Sequence, residues 1–378
     1  MGALKDMGWK GFSGDMWANA RRNCIPISGT FELTPLCNFR CRMCYVRLDA
    51  SEVARHGRLL NTEEWLDIAT QAMELGTYHL TLTGGEVLTR QDFPELYRKL
   101  IEKGLLTSVL SNGSLVDDAM VELFRTYAPT HLRFTLYGSS NETYERLCDV
   151  SDGFDRVMAS LRALKRAKVA FSLAFTVTRE NVNDTEAVLD IAESLGVNIG
   201  VTANLLPAVR HAKSDAKTLR LSRSEEPRIT RPIDNYRPNP LGTHRHELAN
   251  DLFRCCKSYR TSFFVDWNGR MESCAFMSGH GASLLNEPFE LAWKHLNDRL
   301  SSLIVPETCR ACPAWERCPI CPGMRQAETG SANGIPSSRC EEIRAQLRNS
   351  ECTCDPKEVN CNEEDVRDTG SGAVLCKA

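Results

Sequence analysis

The stretch TPLCNFRCRMCYV, residues 34–46, places three thiols, Cys37, Cys41 and Cys44, within eight residues. Thiolates are the ligands of zinc, copper(I) and iron–sulfur centres. Four close cysteines would describe a closed tetrahedral zinc site or a complete cluster. Three describe a metal left one ligand short, so that an outside molecule can complete the coordination. The alternative from the residues alone is a zinc ion closed by a distant histidine.

A second block follows in the C-terminal third. Cys256 is followed by twelve residues, Gly269, four residues and Cys274. Then come Cys309-x2-Cys312-x5-Cys318-x2-Cys321 and, eighteen residues later, Cys340. Seven cysteines at these spacings imply two further metal centres, with two zinc ions as the alternative filling. Of the 17 cysteines, Cys255 adjoins the block. Cys24 and Cys148 read as ordinary buried or half-buried residues, while Cys352, Cys354, Cys361 and Cys376 lie in an acidic C-terminal stretch without periodicity. That stretch reads as a tail with incidental thiols, with metal ligation or a thiol relay as alternatives. The N-terminus, MGALKDMGWKGFSGDMW, has no continuous apolar segment, which speaks against a secretory signal. In a large chain without one, clustered thiols are metal ligands more readily than disulfides. A cytoplasmic setting is therefore expected.

These thiols need a scaffold, and residues 30–205 supply a repeating one. The apolar runs GTFELTP, YHLTLTGG, LTSVLSNG, HLRFTLYG, FSLAFTVT and VNIGVTANLLP alternate with amphipathic stretches such as NTEEWLDIATQAMELG. The latter opens on an Asn61/Thr62 cap and closes at Gly76. Strands interleaved with helices predict right-handed crossovers and an α/β fold with a parallel sheet. The expected division is an N-terminal extension (1–29), the α/β core (30–207), a proline-containing linker (208–251), a cysteine-rich domain held by metal (252–348) and the acidic tail (349–378). Asp266–Gly269, DWNG, reads as a hairpin turn. The triad follows the first strand, at the edge where parallel α/β folds keep their chemistry.

Cys-x3-Cys-x2-Cys in that position resembles the radical S-adenosylmethionine (radical SAM) enzymes, with Met43 where the family usually has an aromatic residue and Tyr45 just after Cys44. The resemblance covers about residues 30–205 and implies a partial (β/α)6 barrel. It also implies a [4Fe–4S] cluster on Cys37, Cys41 and Cys44, whose free iron binds SAM. TGGE after the second strand resembles the family's GGE motif, which carries a SAM contact onto Gly84, Gly85 and Glu86. Paired glycines let a backbone approach a ligand closely. The same resemblance offers Ser111 and Asn112 after the third strand, Thr176 and Arg179 after the fifth, and Ala203, Asn204 and Leu205 after the sixth. The second cysteine block resembles the SPASM domain, except that the last spacing of its quartet is two residues rather than three. That implies two auxiliary [4Fe–4S] clusters, three in all. Cys309, Cys312, Cys318 and Cys340 would hold the outer one, and Cys256, Cys274 and Cys321 the inner one. The fourth inner ligand stays open between an exogenous group, Cys255 and a tail cysteine.

The resemblance implies reductive cleavage of SAM and hydrogen abstraction from a peptide or protein, with a thioether or carbon–carbon crosslink in a ribosomally made peptide as the leading expectation. Its alternatives are a small-molecule dehydrogenase or epimerase, a formylglycine-type sulfatase maturase, and a non-enzymatic electron-transfer protein. The implied partners are a flavodoxin- or ferredoxin-type donor and, since only 36 residues precede Cys37, a separate leader-binding protein. A net charge of −3 gives no push toward nucleic acid. No run of ~18 apolar residues is present to span a membrane. Neither a P-loop nor G-x-S-x-G occurs, and the histidines are scattered.

Overall fold

The computed structural model describes residues 9–222, 225, 251–256 and 258–351. Six strands, β1 (Ser28–Glu32), β2 (His79–Thr83), β3 (Leu106–Ser111), β4 (His131–Leu136), β5 (Ser172–Thr176) and β6 (Ile199–Thr202), pair parallel in chain order. Two more, β7 (Ser262–Val265) and β8 (Met271–Glu272), extend the sheet past β1, giving the order β6-β5-β4-β3-β2-β1-β7-β8. β7 is parallel to β1 and β8 is antiparallel to β7. The expected parallel α/β sheet is present, with each of the six predicted runs in its own strand.

The helices are α1 (Trp9–Asn23), α2 (Ala50–His56), α3 (Thr62–Glu74), α4 (Phe93–Glu102), α5 (Asp118–Thr126), α6 (Asn141–Cys148), α7 (Gly153–Arg166), α8 (Thr185–Leu195), α9 (Ala216–Leu219), α10 (Phe289–Ser301), α11 (Glu307–Arg310), α12 (Pro322–Thr329) and α13 (Ser337–Glu351). Their starts are set locally. Asn61 accepts from Glu64 N while the Glu64 carboxylate accepts from Asn61 N, a reciprocal cap on α3. Proline opens α4 and α12, where a missing N–H costs nothing. Among the described residues no helix is long and apolar enough to cross a membrane.

The C-terminal region holds more regular structure than its cysteine density suggests. α10 buries Phe289, Ala292, Trp293, Leu296 and Leu300, a helical stripe that periodicity alone could have found. β7 is the short apolar run SFFV, flanked by the DWNG turn. Gly269 N donates to Asp266 O, and the Asp266 carboxylate accepts from Arg270 N. On the helix-covered face, Phe263 of β7 meets Phe31 (centroids 6.3 Å apart), Phe289 (4.8 Å) and Trp293 (6.5 Å). Phe31 itself lies 4.6 Å from Trp65 of α3. Opposite Phe263 in register stands Gly29, where an added Cβ would lie 2.1 Å from the ring. The glycine makes room for the aromatic that joins the cysteine-rich region to the barrel sheet.

Phe263 is 1% exposed. Phe263→Ala is therefore expected to cost about 3–5 kcal/mol, read as a lowered midpoint in urea unfolding. A loss below about 1 kcal/mol would show that the β1–β7 seam does not hold the two regions together.

Candidate functional site

β1 runs straight into the cysteine loop. Thr34 is fully buried, and its Oγ1 accepts from Leu36 N. The loop is then stapled to the end of α6, where Arg40 N and Arg42 N donate to Cys148 O and Leu147 O at 2.8 and 2.9 Å. Cys44 N donates to Cys41 O, and Phe39 N donates to Cys37 Sγ at 3.3 Å. Burial pushes the thiols of Cys37 and Cys44 up to about 12 and about 11, and the Cys41 thiol is pushed up by a hydrogen bond with Cys148 and by burial. Left alone these groups stay protonated. A bound metal reverses that preference, because coordination deprotonates a thiol outright. Cys148, which is not near the triad in sequence, is thus a fourth thiol beside it in space.

Gly84 and Gly85 face the same loop. An added Cβ on Gly84 would fall 2.3 Å from Thr34 O, and one on Gly85 would fall 2.4 Å from Leu36 O. Gly85 N donates to Thr34 O at 2.7 Å and Glu86 N to Leu36 O at 2.9 Å. Glu86 is 1% exposed, and burial raises its pKa above the ordinary carboxylate value. Its Oε1 accepts from Leu88 N and Ser111 Oγ, its Oε2 from Asn112 N at 2.6 Å. Asn112 Nδ2 reaches Asn38 Oδ1 at 2.9 Å and stands 3.8 Å from Cys37 Sγ. Ser114 donates to Asn112 Oδ1 and accepts from Asn38. Glu86, Ser111, Asn112 and the triad therefore form one connected network at the C-terminal ends of β1, β2 and β3.

The other sequence candidates part company. Thr176 ends β5 in register with Thr202, its carbonyl taken by Asn181. Arg179 is turned to the surface instead of the triad, with Nη1 on Thr218 O and Nη2 on Glu225 at 3.1 Å. In the loop after β6, Ala203 is half-buried, Asn204 exposed and Leu205 buried. Arg339 donates to Asn204 Oδ1 and Leu205 O, and Arg220 donates to Leu205 O. Both arginines pair with Glu328 of α12. The C-terminal helices thereby hold the β6 loop.

The second cysteine block separates into two sets. Cys309, Cys312, Cys318 and Cys340 line one cavity. The thiols of Cys256 and Cys274 are each raised in part by the charge of Cys321, which gathers those three elsewhere. Cys255, pushed up to about 12 by burial, is within electrostatic reach of Cys321, Cys256 and Cys318. The thiols of the adjacent Cys255 and Cys256 are both within electrostatic reach of Cys321. Cys352, Cys354, Cys361 and Cys376 lie outside the described residues. Among the described residues, no three His, Cys, Asp or Glu side chains converge on a single-ion position. Cys24 accepts a hydrogen bond from Arg260 at 2.7 Å, away from both sets.

One buried ion pair beside the site escaped the sequence. Glu32, 1% exposed at the end of β1, is ion-paired at 2.5 Å with Arg210, whose other arm donates to Ala275 O beside Cys274. Burial lifts the Glu32 carboxyl to about 7 against the pull of Arg210, and its Oε1 has no hydrogen-bond partner. The only signal available was a glutamate at an inward-facing strand position. The pair ties the triad's own strand to the inner cysteine loop.

Two substitutions test this geometry. Gly85→Val is expected to lower iron bound at the Cys37 loop as well as SAM affinity, since the new side chain strikes the loop backbone; iron analysis after anaerobic reconstitution checks it. Full iron with normal SAM binding would refute the packing argument. Arg210→Met leaves Glu32 buried without its cation, and a loss of about 3–5 kcal/mol is expected in denaturant unfolding.

Comparison with known proteins addresses the same region. The radical SAM superfamily model matches residues 31–192, a span that contains the triad, Gly84–Glu86 and Ser111–Asn112. The chain is 29% identical over 180 residues to a PqqA peptide cyclase of Granulibacter bethesdensis, covering 48% of this chain and 47% of that protein. It is 23% identical over 299 residues to an Fe-coproporphyrin III synthase of Methanosarcina barkeri, covering 71% and 74%. The chain thus spans about half the length of the peptide cyclases it matches. The structure of Streptococcus suis SuiB bound to precursor peptide SuiA superposes with a TM-score of 0.62 at 14% identity, covering 87% of this chain and 80% of that one, a likeness of fold. The region that matches the radical SAM superfamily model, residues 31–192, is thus the one that carries the three-thiol loop at the end of the first strand.

Proposed function

We propose that this protein is a radical SAM peptide maturase carrying three [4Fe–4S] clusters. The observation that carries the reading is the buried network at the ends of β1, β2 and β3, in which the three-thiol loop meets Glu86 and Asn112 through Cys37 and Asn38. The donor set fits a cubane one ligand short: three thiols in eight residues, with no fourth cysteine of the same loop. When bound, a cluster there with SAM supplies a 5′-deoxyadenosyl radical upon accepting one electron from a flavodoxin- or ferredoxin-type donor. Cys37, Cys41 and Cys44 hold it. Gly84 and Gly85 bring the second loop within backbone contact of the first, and Glu86, fixed by Leu88 N, Ser111 and Asn112, presents a carboxylate beside that junction. Thr176 and the Ala203–Leu205 loop stand at the ends of β5 and β6, where the remainder of SAM would lie. Arg179 is assigned no contact, because Glu225 and Thr218 engage it.

The two cysteine sets of the C-terminal region fit auxiliary clusters of the SPASM kind. Cys309, Cys312, Cys318 and Cys340 form the outer set; Cys256, Cys274 and Cys321 form the inner one, and its fourth position is open to an exogenous group, to Cys255, which is within electrostatic reach of Cys321, or to a tail cysteine. A peptide substrate is favoured by the cyclase relative, named for a peptide it cyclises, and by SuiB, solved with its precursor peptide. The bond formed would be a crosslink, thioether or carbon–carbon, with one substrate hydrogen lost as an atom to the 5′-deoxyadenosyl radical and the second as a proton, its electron being taken by an iron–sulfur centre of the protein. A second reading, action on a small molecule, is favoured by the synthase relative, which covers more of both chains than the cyclases do.

Reconstituted protein is expected to bind about twelve irons, four for each of three clusters, and to release 5′-deoxyadenosine under a strong reductant. The Cys37/Cys41/Cys44→Ala variant should lose about a third of the iron and all of the nucleoside product. Co-expression with short peptides encoded beside the gene, followed by mass spectrometry, separates the two readings. A peptide lighter by two hydrogens supports the maturase. Unchanged peptides, together with turnover of a small-molecule substrate, would favour the second reading.

A further inference from the structure

The cavity lined by Cys309, Cys312, Cys318 and Cys340 is also lined by Arg325 and Arg344, and Arg254 packs on Trp315 of its wall. Arg325 of α12 is 1% exposed; its Nη2 donates to Cys309 Sγ at 3.2 Å, its Nη1 to Gly334 O at 2.9 Å, and its Nε has no partner. Arg254 is 8% exposed and lies 3.1 Å over the Trp315 ring. Its Nη2 donates to Trp315 O at 2.7 Å and to Cys318 O at 3.5 Å, while Nε and Nη1 have no partner. Among the described residues no carboxylate forms an ion pair with either arginine. Glu328, the buried acid on the same helix as Arg325, is taken by Arg220 and Arg339. From the more open side, Arg344 hydrogen-bonds the Cys312 thiol.

Two buried guanidinium groups without counter-anions are costly, since each buried ion loses several kcal/mol of solvation. Arginine cannot escape by losing its proton. Four neutral thiols do not compensate. Four thiolates around a [4Fe–4S]²⁺ core do: together they carry a charge of −2, and −3 after taking up one electron. The orphaned N–H groups thus mark the place and the sign of the missing charge.

We propose that Arg254 and Arg325 are the buried counter-cations of the outer cluster, raising its reduction potential by favouring the more negative, reduced state. The inference rests on the reading of Cys309, Cys312, Cys318 and Cys340 as ligands of a [4Fe–4S] cluster. It adds a role for two residues that ligate nothing. Charge and N–H···S donation around a cluster are among the levers that set its potential.

The test is a potentiometric titration followed by electron paramagnetic resonance, in the Cys37/Cys41/Cys44→Ala background so that only auxiliary signals remain. Arg325→Gln and Arg254→Gln are each expected to keep their iron and to lower one of the two midpoints. The reduced-to-oxidised ratio at fixed potential should fall at least tenfold, about 59 mV for a one-electron couple, while the other midpoint stays. Arg325→Lys and Arg254→Lys, which retain the charge, should recover most of that shift. Iron-replete Gln variants with both midpoints unchanged would overturn the proposal, as would Lys variants that behave like Gln. If Arg325→Gln fails to fold, Arg254→Gln decides alone. A parent protein with iron for only one auxiliary cluster would reject the cluster reading itself, a result distinct from unchanged midpoints in a protein that holds both.

Discussion

Two backbones meet where the first two strands end, closer than side chains would allow. Leu33 N donates to Thr83 O, Gly85 N to Thr34 O and Glu86 N to Leu36 O, all between 2.7 and 2.9 Å. The ladder between β1 and β2 continues past the sheet into the loops. Only glycine permits this at 84 and 85, because any Cβ would fall within 2.4 Å of a carbonyl oxygen of the cysteine loop. The contact fixes where the triad sits relative to Glu86. Glu86 then gathers Ser111 and Asn112 from the third strand, and Asn112 closes the circuit on Asn38 and Cys37. Three loops behave as one piece, and the glycines do this by admitting a neighbouring backbone, a demand that exists before any cosubstrate binds.

The C-terminal region is fastened to this piece by shared sheet and by arginines. β7 lies against β1, so the strand leading into the triad is also the strand next to the cysteine-rich hairpin. Arg210 couples Glu32 to the carbonyl of Ala275, Arg220 and Arg339 couple the β6 loop to Glu328, and Arg21 of α1 donates to Cys256 O. Guanidinium groups suit this work because they offer several donors in a rigid plane and stay charged when buried. A buried ion pair is weak evidence of net stability, but breaking one is expensive. These bridges therefore specify how the two regions sit more than they strengthen the whole. Arg254 and Arg325 differ in kind, since they face thiols and no acid among the described residues answers them.

Local chemistry was enough for the sequence to determine the elements and to set three thiols in one loop after the first strand. Strand alternation, the Asn61 cap, the prolines opening helices and the Cys-x3-Cys-x2-Cys spacing act within a few residues, where propensity and chain geometry are decisive. The same is true of α10, whose apolar stripe was present to be seen. What tertiary structure decided are the meetings between residues far apart in the chain. Cys148 beside Cys41, Cys255 beside Cys321, Glu32 against Arg210 and Arg179 drawn off to Glu225 follow from which strand lies next to which. Spacing says how many thiols a loop can offer, whereas the neighbour each one finds depends on sheet register and on side chains packed from both sides, which no local pattern encodes.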